Sequence, residues 1–427
     1  MVITAAVATL LALTGCRGNP PRAENARQLS APVLTPTATR DALLRDGIEV
    51  LHMAQCEADL AQHQRADSIA AELIARDQSD ARALTLRAAA RAGLHQFEDA
   101  AALAERAIAI NPYDAAAYAV LADALIELGQ YDRALHTVQH LLNLKPTHAA
   151  YARAAYLRVL YGDQAGGLRL MRLAVSAAPP NRPDERAWHL VQLAHDALAA
   201  GDIATAEHAY QQVLSARPED GRALQGRAAI AAGRGELESA IELYERATAG
   251  GPAPDAHAAL ADIYTALDRR ADAQRHYRAA ERAELAERER MERPEGRHLA
   301  LLYADYGDPA EALRLAEQDA AHRDDVFTAD AVAWALYRAG RIPEARRTAA
   351  RALRLGTRDP LLLYHAGSIA AADGDHGEAE RLLSGALVSE AALGPLRAAH
   401  ARALLSASRA ATGAHENAPA GNRENRG

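Results

Sequence analysis

The side chains in this 427-residue chain that could do chemistry are few and scattered. Of the 17 histidines, His136 and His140 lie one helical turn apart and near His148 in sequence, a spacing that zinc sites use. No Cys, Asp or Glu converges on them, so they are expected on an outward helix face, and no metal is expected. The two cysteines, Cys16 and Cys56, are too few for a disulfide framework or an all-cysteine zinc site. Cys56 falls inside a helical segment, where a thiol packs as a small apolar group. Lys145 is the single lysine, which leaves almost nothing for Schiff-base chemistry. The sequence holds no Gly-Lys-Ser/Thr phosphate loop, no Gly-x-Ser-x-Gly elbow and no His-Glu-x-x-His pair. Neither an enzyme nor a cofactor nor a small-molecule substrate is expected. The net charge of −8 lacks the basic footprint that phosphate backbones require, so nucleic acid is not an expected partner.

The elements that would position any site are helices. Ala and Leu are abundant, aromatics make up 4%, and β-branched runs are short. The chain also repeats on itself at a lag of about 34 residues. Its mark is a small residue followed by another twelve later: Ala54/Ala66, Ala88/Ala100, Ala122/Ala134, Ala194/Ala206, Ala228/Ala240, Ala261/Ala273, Ala300/Ala312, Ala333/Ala345 and Gly367/Ala379. Gly129, Gly201, Gly235, Gly307, Gly340 and Gly374 fall between the members of most pairs, where glycine accepts the left-handed turn that ends a helix. Pro112, Pro146, Pro218 and Pro252 then stop the second helix. Each unit is therefore an antiparallel helix pair, close-packed through its small residues, with larger residues such as Tyr118, Leu121, Leu125, Tyr131 and Leu141 interleaving with the next pair.

This pattern resembles the tetratricopeptide repeat, most clearly in AAAYAVLADALIELGQYDRALHTVQHLLNLKPTH from Ala115 to His148. The resemblance implies an all-α, right-handed superhelical solenoid of about ten helix-pair units over residues 47–393. Units are expected to start near Gly47, Ala81, Ala115, Ala149, Ala187, Gly221, Pro254, Arg293, Val326 and Pro360. The fourth looks irregular, because Tyr156 stands where a small residue belongs and Pro179, Pro180 and Pro183 lengthen its end. The second helix of the seventh is expected to run on through the charged stretch Glu281 to Arg293. The alternating charges of AERERMERPEGR, Ala286 to Arg297, read as a solvated, salt-bridged surface. Residues 394–411 are expected as a C-terminal capping helix, followed by a disordered tail over 412–427.

At the N-terminus, the apolar run from Val2 to Leu13 is too short to span a bilayer. With Leu13-Thr14-Gly15-Cys16 it resembles a bacterial lipoprotein signal. That resemblance implies cleavage after residue 15, lipidation of Cys16 and attachment to a membrane in the cell envelope; Arg17-Gly18 lacks the acidic residue that favours inner-membrane retention in that family. Residues 16–46, with Pro20, Pro21, Pro32 and Pro36, read as a flexible tether. The alternative reading is a cytoplasmic adaptor or regulatory sensor whose apolar start is not a signal.

Function then rests on binding. The resemblance implies that the first helix of each unit lines a concave groove that holds a peptide or partner helix. Helical periodicity places Trp188, Phe327, Asp330, Trp334, Tyr337, Arg338 and Tyr364 on that side. Aromatic and arginine side chains supply most interface energy, so these residues are the candidate partner-binding site. Relatives that clamp a terminal carboxylate use Lys and Asn on the inner face; Leu51, Gln55, Thr85, Ala89, Ala119 and Asp123 stand there instead, so that role is not expected.

Overall fold

The computed structural model describes residues 39–57, 60–291 and 296–416, all in helices and short turns. The Cys16 lipidation, the leader, most of the tether, the end of the tail and the Cys56 side chain lie outside the described residues. The helices pair in chain order. The first five pairs are α1 (Arg40–Glu57) with α2 (Leu60–Arg76), α3 (Ala81–Gly93) with α4 (Phe97–Ile110), α5 (Ala115–Glu127) with α6 (Tyr131–Leu144), α7 (His148–Leu160) with α8 (Gln164–Ala177), and α9 (Pro183–Ala199) with α10 (Ile203–Ala216). The next five are α11 (Gly221–Gly233) with α12 (Leu237–Ala249), α13 (Pro254–Ala266) with α14 (Arg270–Glu289), α15 (Arg297–Tyr306) with α16 (Pro309–Ala320), α17 (Val326–Arg338) with α18 (Ile342–Ala352), and α19 (Pro360–Ala372) with α20 (His376–Ala386). A 3₁₀ turn (Leu387–Ser389), a short α21 (Glu390–Leu393) and a long α22 (Pro395–Glu416) complete the chain.

Local chemistry starts and stops these helices. Asp80, Asp114, Asp220, Asp325 and Asp359 each cap the first helix of a unit, their carboxylates accepting from free backbone N–H groups of its first turn. At the turn inside a unit the backbone becomes left-handed. Gly129 has φ +73°, and in units 2 and 7 the same place is held by His95 at +60° and Asp268 at +54°. Gly307 is an exception, with a negative φ of −115°. The expected small pairs are the packing contact: Ala122 and Ala134 are both 0% exposed, and a Cβ added to Gly367 would stand 2.8 Å from Leu383.

Three expectations are corrected. The first helix begins at Arg40, inside the expected tether, and α22 continues past residue 411 to Glu416. The fourth unit is regular but displaced by one residue: its small pair is Ala155/Gly167, where a Cβ on Gly167 would meet Val159 at 2.5 Å and the Ala155 carbonyl at 3.1 Å. Tyr156 is thereby turned inward, where it is 6% exposed. Gly162, at φ +77°, makes that unit's turn.

The solenoid closes on itself. The turns of units 3 to 6 meet the loops that follow units 8 to 10, so residues far apart in sequence touch along a seam. A Cβ on Gly129 would overlap the Asp324 carbonyl, and one on Gly162 would overlap that of Gly356. Beside Gly129, Arg323 pairs with Glu127, and the Val326 N–H donates to the Tyr131 hydroxyl at 2.9 Å. Further along, a Cβ on Gly201 would stand 2.8 Å from the Val388 carbonyl. Closure fills the inside of the superhelix, so α9 is buried on every side from Ala187 to Ala199.

Candidate functional site

The candidate residues fall into two separate regions of this filled interior. Trp188 and Phe327 belong to one apolar cluster, Trp334 and Tyr364 to another. Trp188, Phe327, Asp330, Trp334 and Tyr364 are all buried, with Trp334 2% exposed. The expectation of an open groove lined by all seven side chains is therefore corrected: only Tyr337, half-buried, and Arg338, exposed, reach the surface. The reason is the closure, together with the course of α22, which rests on α20, passes against α13 and α19, and reaches α15 through Arg397.

Around Trp188 the chemistry is that of neutral pairing. Its ring stands edge-on to His189 at 5.1 Å between centroids. His189 Nε2 lies 2.9 Å from His148 Nδ1, while His148 Nε2 lies 3.3 Å from Glu185, which also accepts from Arg182. Burial, with the His148 neighbour adding to it, holds His189 down at about 3. His148 thus faces His189, whereas the His136 imidazole contacts its own helix's Asp132 carbonyl at 2.7 Å and His140 packs on Tyr118. Among the described residues no three His, Cys, Asp or Glu side chains are grouped to hold a metal.

The second region carries a polar network built by six helices. Arg397 of α22 donates to Asp262 of α13 at 2.8 Å and to Asp305 of α15 at 2.6 Å. Asp262 also accepts from the hydroxyls of Tyr306 and, at 3.3 Å, Tyr277, whose rings stack on each other. Asp305 accepts from the Trp334 indole N–H at 2.8 Å, with Arg338 3.8 Å away. Trp334 stacks on His365 at 4.1 Å, and His365 pairs with Asp330 at 2.8 Å. The Tyr364 hydroxyl lies 2.8 Å from His400 of α22.

Electrostatics separate the two aspartates. Burial raises Asp262, and Arg397 recovers only part of that. Burial also pushes Asp305 up, but Arg397, His365 and the Trp334 hydrogen bond together hold it below its ordinary value. Carboxylates with opposite shifts can form an acid and base pair. Here the Arg397 guanidinium stands between them, and its fork matches two separate carboxylates, which makes the arrangement an ion-pair clamp. Burial likewise pushes the Tyr364 hydroxyl up to about 12, keeping it a neutral hydrogen-bonding group. Next to this network, Arg338 lines a surface cavity of about 560 Å³ with Asp308, Pro309, Leu313, Arg314 and Glu317.

Sequence reasoning missed Arg397, Asp262 and Asp305. One signal was available: Leu121-Ala122-Asp123 recurs as Leu260-Ala261-Asp262, placing an aspartate beside the fully packed small position. Both are buried and both take an arginine from a later element, Arg153 in the first case and Arg397 in the second.

Comparison with known proteins agrees with the helix-pair pattern. A family model described as tetratricopeptide repeat matches residues 92–156, and a second of the same description matches 191–257 and 331–395. No curated protein matches the chain. Among solved structures, a thermophilic tetratricopeptide protein from Thermus thermophilus is 17% identical over 48% of this chain and 100% of its own, with a TM-score of 0.38. PilW, a type IV pilus biogenesis factor, is 18% identical over 46% of this chain and 90% of its own, TM-score 0.40. Yeast Tom70 is 12% identical over 88% of this chain and 96% of its own, TM-score 0.36. From its stacked helix pairs, its paired small positions and the three matched segments, this chain is a tetratricopeptide-repeat protein.

Proposed function

We propose that this chain is a scaffold, anchored in the cell envelope or exported, that recruits another protein through the rim of its concave side and has no catalysis of its own. Tetratricopeptide proteins in general mediate protein–protein interaction and are generally non-catalytic. The observation that carries the reading is the placement of interior charge. Asp123 with Arg153, and Asp262 and Asp305 with Arg397, are matched within the fold, while Tyr337 and Arg338 stand at the rim beside an open cavity. A half-buried aromatic next to an exposed arginine is the kind of anchor that interfaces concentrate. The envelope part is supported by the apolar run from Val2 to Leu13 followed by Thr14-Gly15-Cys16.

Intact mass of the protein from its native membrane fraction, with a Cys16→Ala control, tests the anchor. Loss of the first fifteen residues with a lipid-sized gain, abolished by the control, is the expected result; an intact, unmodified N-terminus points to the cytoplasmic adaptor. A photo-crosslinking residue placed at Tyr337 in the native cell tests the rim. It is expected to trap a protein that the same residue at Leu135, exposed on α6, does not; equal yields from both positions would refute the rim.

A further inference from the structure

We propose that the inner face of units 7 to 10 is a receptor for an arginine-bearing helix of a partner protein, and that α22 occupies it in cis as a displaceable stand-in. The inference rests on the scaffold reading above and adds the chemistry of the partner.

Three observations carry it. First, the receptor belongs to the framework. Asp262 and Asp305 come from α13 and α15, and each is oriented by groups outside α22: Tyr306 and Tyr277 for Asp262, Trp334 for Asp305. Two acidic groups held 2.8 and 2.6 Å from one guanidinium form a forked cation site that lysine, a point charge, matches poorly.

Second, α22 rests chiefly along α20, and towards the inner face it offers little apolar surface. Ala398, Ala401 and Ser408 are its buried residues within 395–412, Leu404 and Leu405 are half-buried, and the residues between are exposed or half-exposed. Hydrophobic stabilisation follows apolar area, and alanine side chains supply little, so on the inner face, as distinct from α20, the Arg397 clamp is the main attachment. Third, a swivel precedes the helix. Gly394 has φ +79° with nothing near the position of its missing Cβ, and Pro395 starts α22 directly after it.

The identity of the occupant follows from charge. Withdrawal of α22 leaves Asp262 buried without its cation and Asp305 with only the more distant Arg338, which is unfavourable. A helix that brings its own arginine exchanges one clamp for another at little net cost, and a helix without one cannot. The partner segment therefore carries an arginine followed by small residues at the next position and one turn further on, as in Arg397, Ala398 and Ala401.

The test uses the full chain and a fluorescent peptide of sequence 395–416 as probe. Arg397→Ala is expected to bind the peptide at least ten-fold more tightly than the wild type, whose own α22 competes. Adding Asp262→Asn and Asp305→Asn is expected to abolish binding, as is Arg397→Ala within the peptide. Equal binding by Arg397→Ala and wild type, no binding by either, or a dimer that exchanges α22 between copies would each overturn the proposal. Should Arg397→Ala fail to fold, hydrogen exchange on the wild type decides. The α22 amides are expected to exchange faster than those of α20; protection equal to α20 would make α22 a fixed cap and end the proposal. Failure here with crosslinking from Tyr337 intact removes only this occupant, whereas loss of the Tyr337 crosslink removes the scaffold reading.

Discussion

Alanine at Gly129 isolates the seam on which the closed superhelix depends, because the same substitution at Gly340 supplies its control. Both residues make the turn inside a unit, with φ +73° and +76°. A left-handed alanine costs about 1–2 kcal/mol at either place. At Gly340 nothing stands near the new methyl group, so Gly340→Ala shows that cost alone. At Gly129 the methyl overlaps the Asp324 carbonyl, and the turn must part from the loop at 323–326. That separation breaks the Val326 N–H to Tyr131 hydrogen bond and loosens the buried Arg323–Glu127 pair. Losing one buried hydrogen bond costs about 1–3 kcal/mol. Gly129→Ala should therefore be less stable than Gly340→Ala by about 1–3 kcal/mol, the cost of that bond. Urea unfolding followed by circular dichroism measures the difference, and hydrogen exchange at the Val326 amide reads it locally, since repeat arrays need not unfold in one step. Equal costs for the two variants, with unchanged protection at Val326, would refute the seam.

Other consequences are as specific. Arg153→Ala leaves Asp123, 0% exposed, as a buried charge without its partner and should cost about 3–5 kcal/mol, whereas Asp123→Leu with Arg153→Met should restore most of the loss; chemical denaturation of both decides. Trp334→Ala empties a fully packed site and should cost about 3–5 kcal/mol, lowering the thermal midpoint of helix melting; a wild-type midpoint would place the ring outside the core. Burial depresses His189 and His195 to about 3 in the folded chain, while the unfolded chain takes up protons below about 6.5, so stability should fall as pH drops from 6.5 towards 3. Burial raises Asp196 to about 7, which acts in the opposite direction: its contribution is full below the unfolded carboxylate value and is lost as pH climbs to 7. Asp196→Asn should therefore stabilise the protein at pH 8, by at most about 4 kcal/mol, and do nothing of the kind at pH 4; thermal melts at the two pH values check the sign.

The repeat was legible because its signals are local and redundant. Ala81, Ala115, Gly221, Pro254, Val326 and Pro360 begin helices where expected, since each follows a capping aspartate or is itself a proline suited to a first helical turn. The fourth unit was misplaced because the two alanines before Tyr156, Ala154 and Ala155, hide a one-residue shift that only the contact of Gly167 with Ala155 and Val159 reveals. The candidate site was legible in residue type and not in exposure. Helical phase put Trp334 and Tyr364 on the inner side, but whether that side is open depends on small rotations accumulated over successive pairs. The meeting of Gly129 with Asp324, or of Arg397 with Asp262, has no local signature in the chain. The recurrent Leu-Ala-Asp at 121–123 and 260–262 marked a buried acid in each case while leaving its arginine unnamed.

Closure of the superhelix is the central claim, and a distance across the seam tests it most directly. Spin labels at Gln130, in the turn of unit 3, and at Arg351, in the last turn of α18, read that separation by pulsed electron resonance. A closed seam gives one narrow peak at the short end of the measurable range, because Asp324, which pairs with Arg351 at 2.6 Å, abuts Gly129. A broad distribution at long distance would show an open solenoid whose concave face is free, and would contradict it.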